Sequence, residues 1–282
     1  MQNRSLPVAF AARVGRLAVA VALTVTVAAC AISQQQEVQM GGVYATQIDT
    51  QLPMVRDARI VNYVSALGNS LAAVTDTRGL TWHFAVVDSK EVNAFAVPGG
   101  WVYVNRGLIA RAQVMDQLAG VLAHEIGHVT RRHTVQQMQQ SQGATGGLVA
   151  LCTLTKVCDS GVGQAAINVS GTALFAKFSR EDEAEADQEG VRTTVKGGID
   201  PRGIPEMFRI LLRERQSNPS AVDAFFSTHP LEESRITATT NQIAGYTAAQ
   251  LRILKVDTDA FQQMKSRLNA LPPSPTPKAV AK

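Results

Sequence analysis

His124, Glu125 and His128 stand in the pattern H-E-x-x-H, inside Val121-Leu122-Ala123-His124-Glu125-Ile126-Gly127-His128-Val129. Leu118, Val121, Leu122 and Val129 recur at helical spacing, and no proline interrupts the run from Gln113 to Gln140, so the pentapeptide reads as part of a helix. On a helix the two histidines are i and i+4, one turn apart on one face, where both imidazoles can reach a single metal ion. Glu125 follows the first of them and can reach a water on that metal without being a ligand, which is the place of a general base. Gly127 allows a second backbone to approach closely. By composition alone such a pentapeptide arises by accident in roughly one chain in a hundred of this length, so the rest of the chain has to support it.

The second stretch with chemistry in it is Ser179–Gly190, which carries six acids from Glu181 to Glu189. Runs of this kind are usually solvated helix faces. Glu183 and Asp187, however, are i and i+4. One can supply a third metal ligand while the other accepts a ring N–H from a ligating histidine. His133 is no third ligand of the metzincin kind. That pattern needs glycine at position 131 and histidine at position 134, and the chain has Arg131 and Thr134. His133 therefore reads as a local hydrogen-bonding residue. His229, directly before Pro230, is held extended, as a capping, core or site residue.

The elements that must position these residues read as mainly helical, with a small sheet. From Pro53 a helix places Val61, Val64, Leu67, Leu71 and Val74 on one face and ends at Asp76-Thr77-Arg78-Gly79. Thr81–Asp88 alternates as a strand, and Val92–Val97 and Trp101–Val104 flank the turn Pro98-Gly99-Gly100. Asn93, Ala94, Phe95, Ala96 and Val97 form either a plain hairpin arm or an edge strand to which a peptide substrate adds. Helices are predicted at Ile204–Arg215 and Leu231–Ile243, with a connection over 223–230. Residues 143–171 read as helices around a loop, a lid over the site. The domain expected is 51–270, followed by a disordered Pro-rich tail over 271–282.

Residues 1–29 read as a leader. Arg4, Arg13 and Arg16 precede an apolar run, Leu17–Ala28, shorter than the roughly 20 residues a membrane span needs. Val27-Ala28-Ala29-Cys30 then reads as a lipoprotein cleavage site, with a membrane anchor as the alternative. Removing three arginines takes the net charge from +4 to +1, so basicity gives no argument for nucleic acid. Residues 30–50 read as a polar tether. In an exported chain Cys152 and Cys158 can close a disulfide or stay as two thiols.

Four segments in order resemble the HtpX-like and type-I CAAX-prenyl-protease-like family of zinc metallopeptidases, in its single-domain periplasmic lipoprotein members. They are Asn93–Gly100, His124–His128, Ser179–Asp187 and His229-Pro230 with Arg235. The resemblance spans roughly Gln51 to Ile243. It implies a gluzincin-like α+β fold, mainly helical, with about three strands packed on the H-E-x-x-H helix. It implies one Zn²⁺ held by His124, His128 and Glu183, with Glu125 as general base. Asp187 would orient a ligand histidine, with Arg235 supporting that region. His229 would stabilise the oxyanion or close the open metal position in a latent form. Asn93–Val97 would bind substrate backbone. It further implies lipidation at Cys30, an outer-membrane location, misfolded or misassembled envelope proteins as substrates, and contact with outer-membrane assembly machinery. A chaperone-like assembly factor with a latent zinc site is the rival reading.

Overall fold

The computed structural model describes residues 32–144, 177–230 and 233–275. Cys30, Cys152, Cys158, the leader and most of the expected lid lie outside them. The described chain is mainly helical around one three-stranded sheet, the α+β arrangement expected. Strands β1 (His83–Val87), β2 (Ala94–Val97) and β3 (Trp101–Asn105) lie in the order β1-β3-β2, with β1 parallel and β2 antiparallel to β3. Registers such as Val86↔Val104 and Ala96↔Val102 send alternate side chains to opposite faces. One face (Phe84, Val86, Ala94, Ala96, Val102, Val104) packs on helix α2 (Ala58–Thr75) through Ile60, Val64 and Leu67. The same core takes in Leu118, Leu122 and Ile126 of helix α4 (Met115–Thr130), the H-E-x-x-H helix. A short helix, α3 (Arg106–Arg111), joins β3 to α4.

The other sheet face carries Phe95, Val97 and Tyr103, and it is covered by helix α1 (Gln34–Gln51) through Tyr44 and Ile48. This corrects the tether expected over 30–50. Ser33 and Gln36 form a capping box that starts a helix, and Glu37, Gly41, Tyr44, Ala45 and Ile48 are buried along one side. The apolar pattern is masked in the sequence because two seam positions are a glutamate and a glycine. Glu37 is fully buried against Arg78 and Arg132. A Cβ at Gly41 would stand 1.8 Å from the Pro98 carbonyl oxygen, so only glycine lets α1 lie on the hairpin turn.

The proline-free run from Gln113 to Gln140 holds parts of two helices. It breaks at Arg131-Arg132, where Arg132 adopts φ 61, and restarts as α5 (His133–Ala144). Glu37 and the Ile32 carbonyl hold Arg132 in that turn, a tertiary cause with no proline or glycine to signal it. Beyond lie α6 (Arg180–Lys196), α7 (Gly203–Ser217), α8 (Pro219–Thr228) and α9 (Glu233–Ile243), then α10 (Ala248–Arg252) and α11 (Asp259–Asn269). The connection expected over 223–230 is thus mostly helix α8, started by Pro219 at its first turn. The start of the expected disordered tail is docked as well: Arg106 donates to the Leu271 and Pro272 carbonyls, and Ser274 donates to Asp88.

Candidate metal centre

Helix α4 is buried along its whole length from Met115 to Val129, so its polar side chains are enclosed too. Opposite it runs α6, started by the capping box of Ser179 and Asp182. The two helices approach at Gly127, where a Cβ would meet the Ala186 carbonyl oxygen at 3.1 Å and its Cα at 3.2 Å. One turn before Ala186, Glu183 is brought to the histidines. Its Oε1 lies 3.4 Å from His128 Nε2 and its Oε2 lies 3.7 Å from His124 Nε2. The two Nε2 atoms are 3.0 Å apart. Donors around a tetrahedral ion at about 2.0–2.1 Å are separated by about 3.4 Å, so the three side chains fit a zinc-sized cation.

His229 completes the group. It caps α8 at φ −114 and ψ 91, extended as its position before proline requires. Its Nδ1 lies 3.0 Å from Glu183 Oε1 and its Nε2 lies 3.7 Å from Glu125 Oε1. Ligand atoms of His124, His128, Glu183 and His229 all fall within 4.8 Å of one another, and all four residues are buried. Glu125 is fully buried, and neither carboxylate oxygen has a hydrogen-bond partner among the described residues. Such a carboxylate is costly unless a cation or water belongs beside it.

Protonation follows from the burial and the charges. Burial holds His128 well below its usual range, which keeps it neutral as a metal ligand must be. Burial raises Glu125, against the opposing pull of His229 and His124. Burial disfavours ionised Glu183, yet His229, His128 and Arg235 together hold it well below the usual carboxylate range. Burial opposes the charged form of His229 too, but Glu183 and Glu125 raise it.

Asp187 Oδ1 lies 3.0 Å from His124 Nδ1. Arg235 donates to both Asp187 oxygens, at 2.8 and 2.6 Å, and also to Glu183. The Arg235 guanidinium rests on the Phe208 ring at 4.6 Å. The structure therefore brings His124, Glu125, His128, Glu183, Asp187, His229 and Arg235 together. Strand β2, within the segment Asn93–Val97, packs against α4, the helix of the two histidines. Strand β2 forms an edge of the sheet, pairs only with β3 among the described residues, and has all four residues buried. Asn93 Oδ1 is buried without a hydrogen-bond partner among the described residues. Two more residues touch the centre: Phe178, passed over in the sequence, and His133, read there as a local hydrogen-bonding residue. Phe178 stacks on His128 with centroids 3.9 Å apart, and His133 places Nδ1 2.9 Å from His128 Nδ1. Phe178 carries no motif, and its place next to the Ser179 cap was the one available hint.

The model of peptidase family M48 matches residues 59–243. The beta-barrel assembly-enhancing protease of Escherichia coli strain K12 is 31% identical over 254 residues, 86% of this chain and 50% of that protein. The mitochondrial metalloendopeptidase OMA1 of Schizosaccharomyces pombe is 30% identical over 189 residues, 67% of this chain and 54% of that one. Metalloprotease LoiP of Escherichia coli strain K12 is 29% identical over 178 residues, 63% and 66% respectively. The chain spans about half the length of the assembly-enhancing proteases it matches.

Proposed function

The chain belongs to peptidase family M48 and carries a metallopeptidase's constellation of residues, and from that premise we propose that it is a zinc endopeptidase of the cell envelope. The observation that carries this reading is the meeting of His124, His128 and Glu183 around one point, beside a Glu125 whose buried oxygens lack hydrogen-bond partners among the described residues. Bound zinc supplies Lewis-acid activation of water and of the scissile carbonyl. Glu125 takes a proton from the attacking water, whose oxygen joins the carbonyl carbon. As the C–N bond breaks, Glu125 returns that proton to the leaving amine. His229, raised toward its charged form by Glu183 and Glu125, donates to the developing oxyanion. Asp187 orients His124, and Arg235 holds Asp187 and Glu183 in place.

The substrates in this reading are misfolded or misassembled envelope proteins, threaded as an extra strand along Asn93–Val97. The name of the assembly-enhancing relatives supports a tie to outer-membrane β-barrel assembly. Anchoring through lipid on Cys30 would hold the enzyme at that membrane; among the described residues no helix is long and apolar enough to cross it. A second reading has one observation in its favour. His229 stands as a fourth buried donor beside the other three, which suits a resting state that is latent, in a protein acting mainly as an assembly factor.

The experiment is metal analysis with cleavage of an unfolded casein, with and without chelator, on wild type and Glu125→Gln. We expect one zinc per chain in both, cleavage only by wild type, and its loss with chelator. Cleavage by Glu125→Gln at the wild-type rate sinks the enzyme reading. A cellular role that survives in Glu125→Gln selects the assembly-factor reading instead.

A further inference from the structure

The two ligand histidines are held in different ways. His124 Nδ1 lies 3.0 Å from Asp187 Oδ1, without hydrogen-bond geometry, and Asp187 is clamped by Arg235. His128 presents Nδ1 to another imidazole, His133, at 2.9 Å. His133 is buried, and its outer nitrogen, Nε2, lies 3.5 Å from Glu185 Oε2 and 3.9 Å from Asp182 Oδ1. The Glu185 side chain is 57% exposed.

We propose that His133 is a positioning residue for the metal centre, fixing the tautomer and ring angle of His128 through an imidazole–imidazole hydrogen bond. The inference rests on the metallopeptidase reading. If His128 offers Nε2 to the metal, its proton sits on Nδ1 and donates to His133 Nδ1. His133 then carries its own proton on Nε2, directed at Glu185 and Asp182. Two tautomers are thereby set from acids at the surface.

The choice of histidine over a carboxylate has an electrostatic reason. Glu125, Glu183 and Asp187 are already buried here, with Arg235 as the compensating cation. A fourth buried carboxylate would carry a large desolvation cost. A neutral imidazole satisfies His128 and passes the contact outward to a hydrated acid.

The backbone is shaped for this contact. On an unbroken helix, residue i+5 lies about 140° around the axis from residue i and faces away. Here α4 ends at Thr130, and Arg132 turns through φ 61 before α5 begins at His133. That conformation is unfavourable for a residue with a Cβ, and it is held by Glu37 of α1, which accepts from Arg132 Nε at 2.8 Å. Phe178 closes the His128 ring from a stacked position, with planes 24° apart.

Two substitutions separate the roles of the His133 nitrogens. His133→Asn puts an amide oxygen where Nδ1 stands, whereas His133→Gln puts its amide where Nε2 stands. Zinc affinity would be measured on the full chain by competition with a chromophoric chelator, together with kcat/KM on unfolded casein. Thermal unfolding of the metal-free proteins serves as the folding control. We expect His133→Gln to weaken zinc binding and lower kcat/KM by about 10–100-fold, and His133→Asn to stay within a few-fold of wild type. Equal behaviour of the two variants, whether both intact or both impaired, overturns the proposal. Wild type that takes up no zinc at all removes the metallopeptidase reading and this one with it, so the two failures are distinguishable.

Discussion

Arg235→Met tests the electrostatic frame of the centre. The arginine is 8% exposed and donates to both oxygens of Asp187, to Glu183 and, at 3.1 Å, to the Pro230 carbonyl. Methionine keeps a flexible apolar stem against Phe208, so little cavity is created and the loss is mainly one of charge. What remains is two carboxylates, 1% and 3% exposed, without their cation. Removing one partner of a buried ion pair costs about 3–5 kcal/mol. In a chain of this size that lowers the melting temperature by roughly 6–20 °C. Zinc bound as proposed would neutralise Glu183 directly but Asp187 only through His124, so saturating zinc should narrow the deficit without closing it. Arg235→Lys should fall between the two, because an ammonium cannot bridge both Asp187 oxygens and Glu183 together. Urea denaturation of metal-free and zinc-loaded proteins measures all of this. A metal-free deficit under about 1 kcal/mol would refute the argument.

Two further outcomes follow from the same structure. Asp116 is buried at the start of α4 with one oxygen unpartnered among the described residues, and burial together with Asp200 raises it from 3.8 to about 7. Its contribution to stability is fully present below about pH 3.8 and is lost as pH rises through about 7. Asp116→Asn should therefore flatten the pH dependence of the urea midpoint between those values, and curves parallel to wild type would contradict this. Glu37→Ala should cost about 2–3 kcal/mol, less than a fully buried pair because Arg78 and Arg132 can rehydrate at 16% and 33% exposure. It should also weaken zinc binding through Arg132 and His133, a loss absent if α1 were only a tether.

The sequence alone picked out the candidate site residues and the local elements that carry them. H-E-x-x-H at helical spacing is a statement about one helix face, and Glu183 with Asp187 is another, so both survive without knowledge of the fold. The three strands were legible for the same reason, since alternation is a local property. Tertiary structure decided what depended on distant partners. Glu37 looked like one more polar residue until Arg78 and Arg132 closed around it, which turned a tether into a helix covering the sheet. The break at Arg132, and with it the return of His133 to His128, is imposed by that same contact rather than by any breaker in the chain. That Glu183 meets both imidazoles was expected only through resemblance. What brings it there is the close passage of α6 over Gly127, set by packing between segments that no periodicity links.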